Sequence, residues 1–351
     1  MSRARDLADL GGSADAGGLT GRNLIINGGM TVSQRSTSVA SLGTANGYNT
    51  VDRWQMFVGG TASAGRFTQS QASVTDLAGF PKSLKHEVTT ADTSIAAGEA
   101  LQIAQLIEGQ NLQALKKGYS DAEQFTVSFY VKGTANTYVV EMYDADNTRH
   151  VAKTFSVTSS WSRVELTFPA DTTGKFDNDN AVSLYLIIWL HAGSDFTSGT
   201  LPTTWASVTN ANRAVGAGSL YSAVSNTFEI TGVQLEVGQT ATPFEHEDYG
   251  TTLAKCQRYC YTQHRYGDGD IVGDGNGNTR FHCQTYNSGA GSPGGFITLG
   301  FPVMMRTKPD LTYTAVSGAA SDDISSASYL HLFDNDDDAW YIYNLIAEAE
   351  L

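Results

Sequence analysis

The chain has 351 residues, 41% of them hydrophobic, with 36 acidic against 22 basic side chains and a net charge of −14. Its most apolar run, residues 184–190, is strand-sized, whereas a membrane helix needs about 18 or more apolar residues. The first ten residues hold Arg3, Arg5, Asp6 and Asp9 and no apolar export core, and no basic stripe is present to meet a polyanion, so the expectation is no membrane insertion, no export signal and no nucleic-acid partner.

Charged residues make up 17% of the chain, below the roughly 25% usual for soluble domains. Glycine reaches 36 residues, which points to many turns between strands. Cys256, Cys260 and Cys283 are too few and too clustered for a disulfide scaffold, and their odd number fits synthesis in a reducing cytosol. At about 150 residues per domain, the length suggests two.

Residues 1–10 could make a few helical turns that bring Leu7 and Leu10 to one face, and residues 11–21 are Gly, Ser and Ala-rich. Such a stretch buries too little surface to offset its ordering entropy. Two readings stay open for residues 1–22: a frayed terminus, and a flexible docking arm that uses Arg3, Arg5, Leu7 and Leu10.

From Asn23 the period becomes two. Residues 125–131, 138–143, 161–168, 182–191 and 226–237 read as strands separated by turn clusters. The 182–191 run is apolar on both faces, as a covered central strand would be. Only residues 111–117 look helical, ended by Gly118 in a left-handed conformation. Many short strands with frequent turns predict a jelly-roll β-sandwich over residues 23–249.

Beyond it, residues 251–263 place Leu253, Cys256 and Cys260 on one helical face. A Gly/Asp/Asn loop follows at 267–278, then strands at 296–305, 311–316, 329–333 and 340–346. Residues 250–351 therefore read as a small β-rich C-terminal tip domain. No repeat of fixed period is evident.

Three stretches carry a resemblance. Residues 23–35 read NLIINGGMTVSQR, with Asp52-Arg53-Trp54 downstream; residues 231–245 read TGVQLEVGQTATPFE; residues 252–259 read TLAKCQRY. In this order and spacing they resemble the jelly-roll tail-fibre and minor virion proteins of tailed bacteriophages, whose sandwich is similar to carbohydrate-binding modules. The resemblance implies a non-enzymatic structural protein of the virion. It implies a homotrimer that attaches to a tail adaptor or other virion proteins and contacts host surface polysaccharide. It carries no catalytic residues. The motif residues also have plain structural roles: turn glycines at Asn27-Gly28-Gly29, a core Trp54, a bulge at Gly232, and core positions at Phe228, Ile230, Val233 and Leu235. Pro243 and Phe244 would close the last sandwich strand.

Chemistry-bearing constellations are sparse. Cys256, Cys260 and His264, one helical turn apart, span roughly 12 Å on a helix, too far for one zinc ion. Cys256 and Cys260 with His282 or Cys283 remain a weaker zinc alternative beside buried free thiols. Calcium could use Asp274, Asn276 and Asn278, Asp334, Asp336 and Asp338, or Asp177 and Asp179. Counting to the twelfth position from Asp274 and Asp334 gives Thr285 and Leu345 instead of glutamate, so neither is an EF-hand. Solvated turns are the default, and no cofactor is expected. No carboxylate pair, Gly-x-Ser-x-Gly elbow, His-Glu-x-x-His or phosphate loop points to an enzyme. Two other functions stay in view, a capsid-decorating subunit and a glycan-degrading enzyme. If host recognition lies at the tip, its loops offer Tyr266, Asp268, Asp270, Asp274 and Tyr286 as contacts; solvated turns are the other reading.

Overall fold

The structure, a computed structural model, describes residues 21–59, 63–263, 281–282, 295–316, 321–323, 328–334 and 341–351. Arg3, Arg5, Leu7 and Leu10 lie outside the described residues, as do Tyr266, Asp268, Asp270, Asp274 and Tyr286. The chain divides into two units, one ending at Asp248 and joined by Leu351, the other running from Tyr249 to Glu350.

The first unit is mainly β, as its alternating pattern predicts. Its strands are β1 (Ser38–Leu42), β2 (Gln55–Gly59), β3 (Arg66–Ser73), β4 (Lys82–Thr90), β5 (Ala100–Glu108), β6 (Phe125–Gly133), β7 (Asn136–Asp144), β8 (Arg149–Val157), β9 (Ser162–Phe168), β10 (Val182–Ala192), β11 (Ala206–Ser207) and β12 (Thr227–Val237). They form two six-stranded antiparallel sheets, ordered β1-β3-β4-β12-β6-β9 and β11-β8-β7-β10-β5-β2. Consecutive strands alternate between sheets often enough to give a jelly-roll sandwich.

The core lies between the sheets. Leu184, Leu186, Ile188 and Leu190 of β10 share one buried cluster with Phe129 and Val131 of β6, Phe228 and Ile230 of β12, and Trp54, Phe67 and Tyr138. The other face of β10 is also covered, because Ile187 and Trp189 belong to a second buried cluster. β10 is therefore the central, doubly covered strand that its apolar run predicts.

The segment 111–117 departs from expectation. It forms two 3-10 turns, Gly109–Asn111 and Gln113–Leu115, instead of an α-helix. Lys116 at φ +48 and Gly118 at φ +83 stop it, so the chain turns before a helix can propagate. Thr126 and Ser128 on β6 are also buried, since the chain after β12 runs back over that sheet's outer face: Thr126 Oγ1 donates to Gly238 O at 2.8 Å. The last strand ends at Val237, well before Pro243 and Phe244.

Residues 23–35 and 231–245 meet in the sandwich, where Leu24 N–H donates to Leu235 O at 2.9 Å and Val233 N–H to Gly28 O at 3.0 Å. Gly28 and Gly29 do not hold positive φ; Asn27 and Met30 do, both at φ 58. Gly28 is needed for closeness instead, because a Cβ there would lie 2.0 Å from Val233 O. Gly232 does adopt φ +61, at the register shift between Thr231 and Gln234, as its place in the sequence predicts. Trp54 is 1% exposed, and its indole N–H reaches Asn27 O at 3.4 Å.

The second unit begins with an α-helix, Tyr249–Gln257, and contains β13 (Cys260–Gln263), β14 (Phe281–His282), β15 (Gly295–Gly300), β16 (Asp310–Val316), β17 (Ser321–Asp323), β18 (Tyr329–Asp334) and β19 (Tyr341–Glu348). β13, β14 and β16 pair with β19, and β15, β18 and β17 form a separate three-stranded sheet. The helical spacing read through Gln263 is overridden. The helix stops at Gln257, Tyr259 O accepts the Ala349 N–H at 2.7 Å, and Cys260 pairs with Glu348. Cys256 is thus on a helix and Cys260 on a strand, both buried, so they do not share the helical face. β15 ends at Gly300, before Pro302, instead of reaching Met305.

Candidate functional site

The outer face of the β8-β7-β10-β5-β2 region is built by strand alternation. Across it, Phe57 pairs with Gln102 and Gln102 with Trp189; Gln55 pairs with Ala104, Ala104 with Ile187 and Ile187 with Glu141; Leu106 pairs with Tyr185 and Tyr185 with Tyr143. Residues 193–217 fold back over part of this face. Phe196 packs on Trp189 with ring centroids 5.1 Å apart and planes tilted by 44°, and Ala214 is buried against the same cluster.

That cover is pinned by one buried acid. Glu141 accepts Trp189 Nε1–H at 2.8 Å and Arg213 Nε–H at 2.9 Å, and pairs with His150 Nδ1 at 2.8 Å. Burial opposes its charge, but the His150 hydrogen bond and the Arg213 guanidinium outweigh it and hold the carboxyl below its ordinary range. The same guanidinium lies over the Tyr143 ring at 5.3 Å and the Trp189 ring at 5.2 Å.

Beside the cover a half-buried aromatic row remains. Phe57 and Tyr185 have ring centroids 6.4 Å apart, and Tyr185 and Tyr143 5.5 Å apart. Small side chains at Ala100 and Ala104 belong to the cluster under these rings. Burial, and the neighbouring Tyr143, push the Tyr185 phenol up. Gln55, in the Ala104 row, has a buried carboxamide oxygen with no hydrogen-bond partner among the described residues. An apolar row edged by a guanidinium suits a ligand with flat apolar faces and hydroxyl edges.

These residues were not among the sequence-predicted site. Their signal was present: Glu141 is an isolated acid within the apolar run 138–143, and Tyr185 interrupts the Leu/Ile run of β10. The sequence-predicted docking and tip residues lie outside the described residues, so this structure brings none of them together. His264, Cys283, Asp274, Asn276, Asn278, Asp336 and Asp338 are outside too. Asp179 is used by its own turn, its carboxylate accepting Ala181 N–H at 2.9 Å. Among the described residues, no group of three or more His, Cys, Asp or Glu is placed to hold a metal ion, and no helix is long and apolar enough to cross a membrane.

One Ser-His-carboxylate chain occurs at the end of the sandwich. Ser219 Oγ lies 2.8 Å from His191 Nδ1, and His191 Nε2 lies 3.0 Å from Glu99 Oε2. Burial pushes the imidazole down, against the Glu99 hydrogen bond. The adjacent Gly218 amide is committed to Thr137 O at 2.8 Å, so it is not free to stabilise an oxyanion beside Ser219.

No family model matches the chain, and no curated protein matches it. Solved structures similar to it include carbohydrate-binding modules. The tandem CBM22 pair of Paenibacillus barcinonensis is 10% identical, with 96% of this chain and 100% of that one covered at a TM-score of 0.29. The family 11 module of a cellulosomal cellulase of Clostridium thermocellum is 12% identical, covering 57% and 99% at 0.28. The xylan-binding CBM22-1 domain of P. barcinonensis is 13% identical, covering 58% and 94% at 0.26.

Proposed function

We propose that the chain is a non-enzymatic structural protein of a tailed-bacteriophage particle, a homotrimeric tail-fibre component whose sandwich contacts host surface glycans. The particle assignment is supported by the resemblance carried by residues 23–35, 52–54, 231–245 and 252–259. The glycan contact is supported by the half-buried row Phe57, Tyr185 and Tyr143 with the Arg213 guanidinium at its end. Aromatic rings cover the apolar faces of sugars while a guanidinium meets their hydroxyls.

The test has two readouts on the full chain. Antibody labelling of virions is expected on the tail; labelling on capsid faces, or none, overturns the fibre assignment. Binding to host polysaccharide is expected to weaken at least tenfold for Tyr143→Ala and Tyr185→Ala, with Tyr266→Ala and Tyr286→Ala as the comparison. If the tip pair abolishes binding and the sandwich pair leaves it intact, the contact belongs to the tip loops.

A further inference from the structure

A lysine ammonium is buried in a cage of oxygens at one end of the sandwich, apart from the aromatic row. Lys117 follows the turn Gln113–Leu115, and its side chain is 4% exposed. Left-handed backbone at Lys116 and Gly118, on either side, aims it inward. Its Nζ is in hydrogen-bond contact with Asp144 Oδ2 at the end of β7, lies 3.1 Å from Asp171 Oδ2, and donates to the carbonyls of Thr173 at 3.1 Å and Gly174 at 2.9 Å. The rings of Phe176 and Trp205 stand 5.1 and 5.0 Å from Nζ and keep water away.

The two carboxyls are prepared differently. Asp144 is 0% exposed, and its oxygens accept Asn147 N–H at 3.0 Å and Asn147 Nδ2–H at 3.0 and 3.2 Å. Asp171 is gripped by Arg149, with Nε and an NH2 donating at 2.8 and 3.1 Å, and by the Thr173 N–H at 3.0 Å. Asp144 is fully buried against the Asn147 donors, and Asp171 is fixed by Arg149 and Thr173 with its Oδ2 beside the amine.

We propose that Lys117 and Asp144 condense to an intramolecular isopeptide bond, with Asp171 as the proton carrier. Proton transfer from the ammonium to Asp144 leaves a neutral amine facing a neutral acid. The Nζ lone pair attacks Asp144 Cγ and the Nζ–Cγ bond forms. The developing oxyanion is met by the Asn147 donors. Asp171 takes a proton from Nζ and returns it to the departing hydroxyl; the Cγ–O bond breaks and one water leaves. Amine and acid become amide and water, Asp171 ends unchanged, and no external reactant is consumed. Holding the reactants in a dry site supplies an effective concentration on the order of 10⁵–10⁸ M, which a free amine and carboxylate in water lack. The bond would tie residues 27 apart in sequence, locking the turn before Gly118 to the end of β7.

Intact-mass measurement of the folded full chain under denaturing conditions decides it. The expected mass is one water below that of the sequence, with a branched tryptic peptide joining the Lys117 and Asp144 segments and resisting reduction. A folded chain at full sequence mass overturns the proposal, as does a water deficit that maps elsewhere, for instance to a succinimide. Asp171→Asn is expected to restore the missing water in soluble protein; a deficit that persists in that variant removes Asp171 from the step.

Discussion

Asn23 binds Leu235 across 212 residues of sequence: its side-chain oxygen accepts the Leu235 N–H at 3.1 Å. The same oxygen accepts Ile25 N–H at 3.0 Å, while Asn23 Nδ2 donates to Val233 O at 3.1 Å. Glu245 closes the arrangement by accepting Asn23 N–H at 2.9 Å, and Gln234 accepts Glu245 N–H at 2.8 Å. One asparagine thus stands in for a strand at the register shift where β12 loses regular pairing.

Asn23→Ala leaves backbone groups of Ile25, Leu235 and Val233 without their partner. Unsatisfied groups of this kind cost about 1–3 kcal/mol. Urea unfolding of the sandwich should show that loss as a lower midpoint with unchanged slope. A change below a few tenths would mean water replaces the side chain at no cost.

This knot explains what the sequence could and could not reveal. The strands of the sandwich were legible because their alternation is paid in burial on a single period, and Gly232 because a left-handed residue inside a strand pattern marks a bulge. The helix read through Cys260 and Gln263 failed because pairing with β19 outweighs a weak helical face. The aromatic row was legible only residue by residue, for another reason. Phe57, Tyr143 and Tyr185 sit on three strands far apart in sequence, and only register brings their rings together.

His86 gives the sandwich an acid limit. Thr50 Oγ1–H donates to Gln69 Oε1 at 3.0 Å, so the Gln69 amide donates to His86 Nε2 at 3.1 Å and the imidazole is neutral between Phe67 and Phe228. Burial pushes its pKa down from 6.5 to about 3. The unfolded chain therefore binds this proton first. The stabilising effect is whole above pH 6.5 and shrinks as pH falls toward 3. At pH 5 the loss is about 2 kcal/mol. His86→Met should flatten the stability profile between pH 7 and 5. An equally steep profile in that variant would assign acid sensitivity to other groups.

Glu141 and Arg213 should behave as a unit. Breaking one partner of a buried ion pair typically costs about 3–5 kcal/mol, and Glu141→Ala also strands the Trp189 indole N–H. Arg213→Ala should cost less, since its side chain is 18% exposed. The double variant should be less destabilised than the sum of the singles, by about 0.5–3 kcal/mol of coupling. Strict additivity in a double-mutant cycle would show that the cover over β10 is held by Phe196 and Ala214 instead.

The sandwich should fold without the second unit. A fragment of residues 21–248 contains both sheets and the whole Asn23–Glu245 arrangement. It is expected to unfold in one cooperative transition, read coincidently by circular dichroism and tryptophan fluorescence. Separated transitions, or none, would mean that its core depends on the residues after Asp248.

Residues 1–20 can be separated from the sandwich at a sharp point. Gly21 N–H donates to Glu245 Oε1 at 2.5 Å and Arg22 NH2 to Pro243 O at 2.8 Å, so the sandwich already uses residues from 21 onward. If the docking-arm reading proposed for the particle holds, removing residues 1–20 should leave the melting temperature unchanged and abolish incorporation, since none of the sandwich hydrogen bonds from residue 21 onward is lost. Removing residues 1–23 should lower the melting temperature as well, through loss of the Asn23 contacts with Leu235 and Val233. Particles that assemble normally with the 1–20 deletion would place attachment elsewhere on the chain.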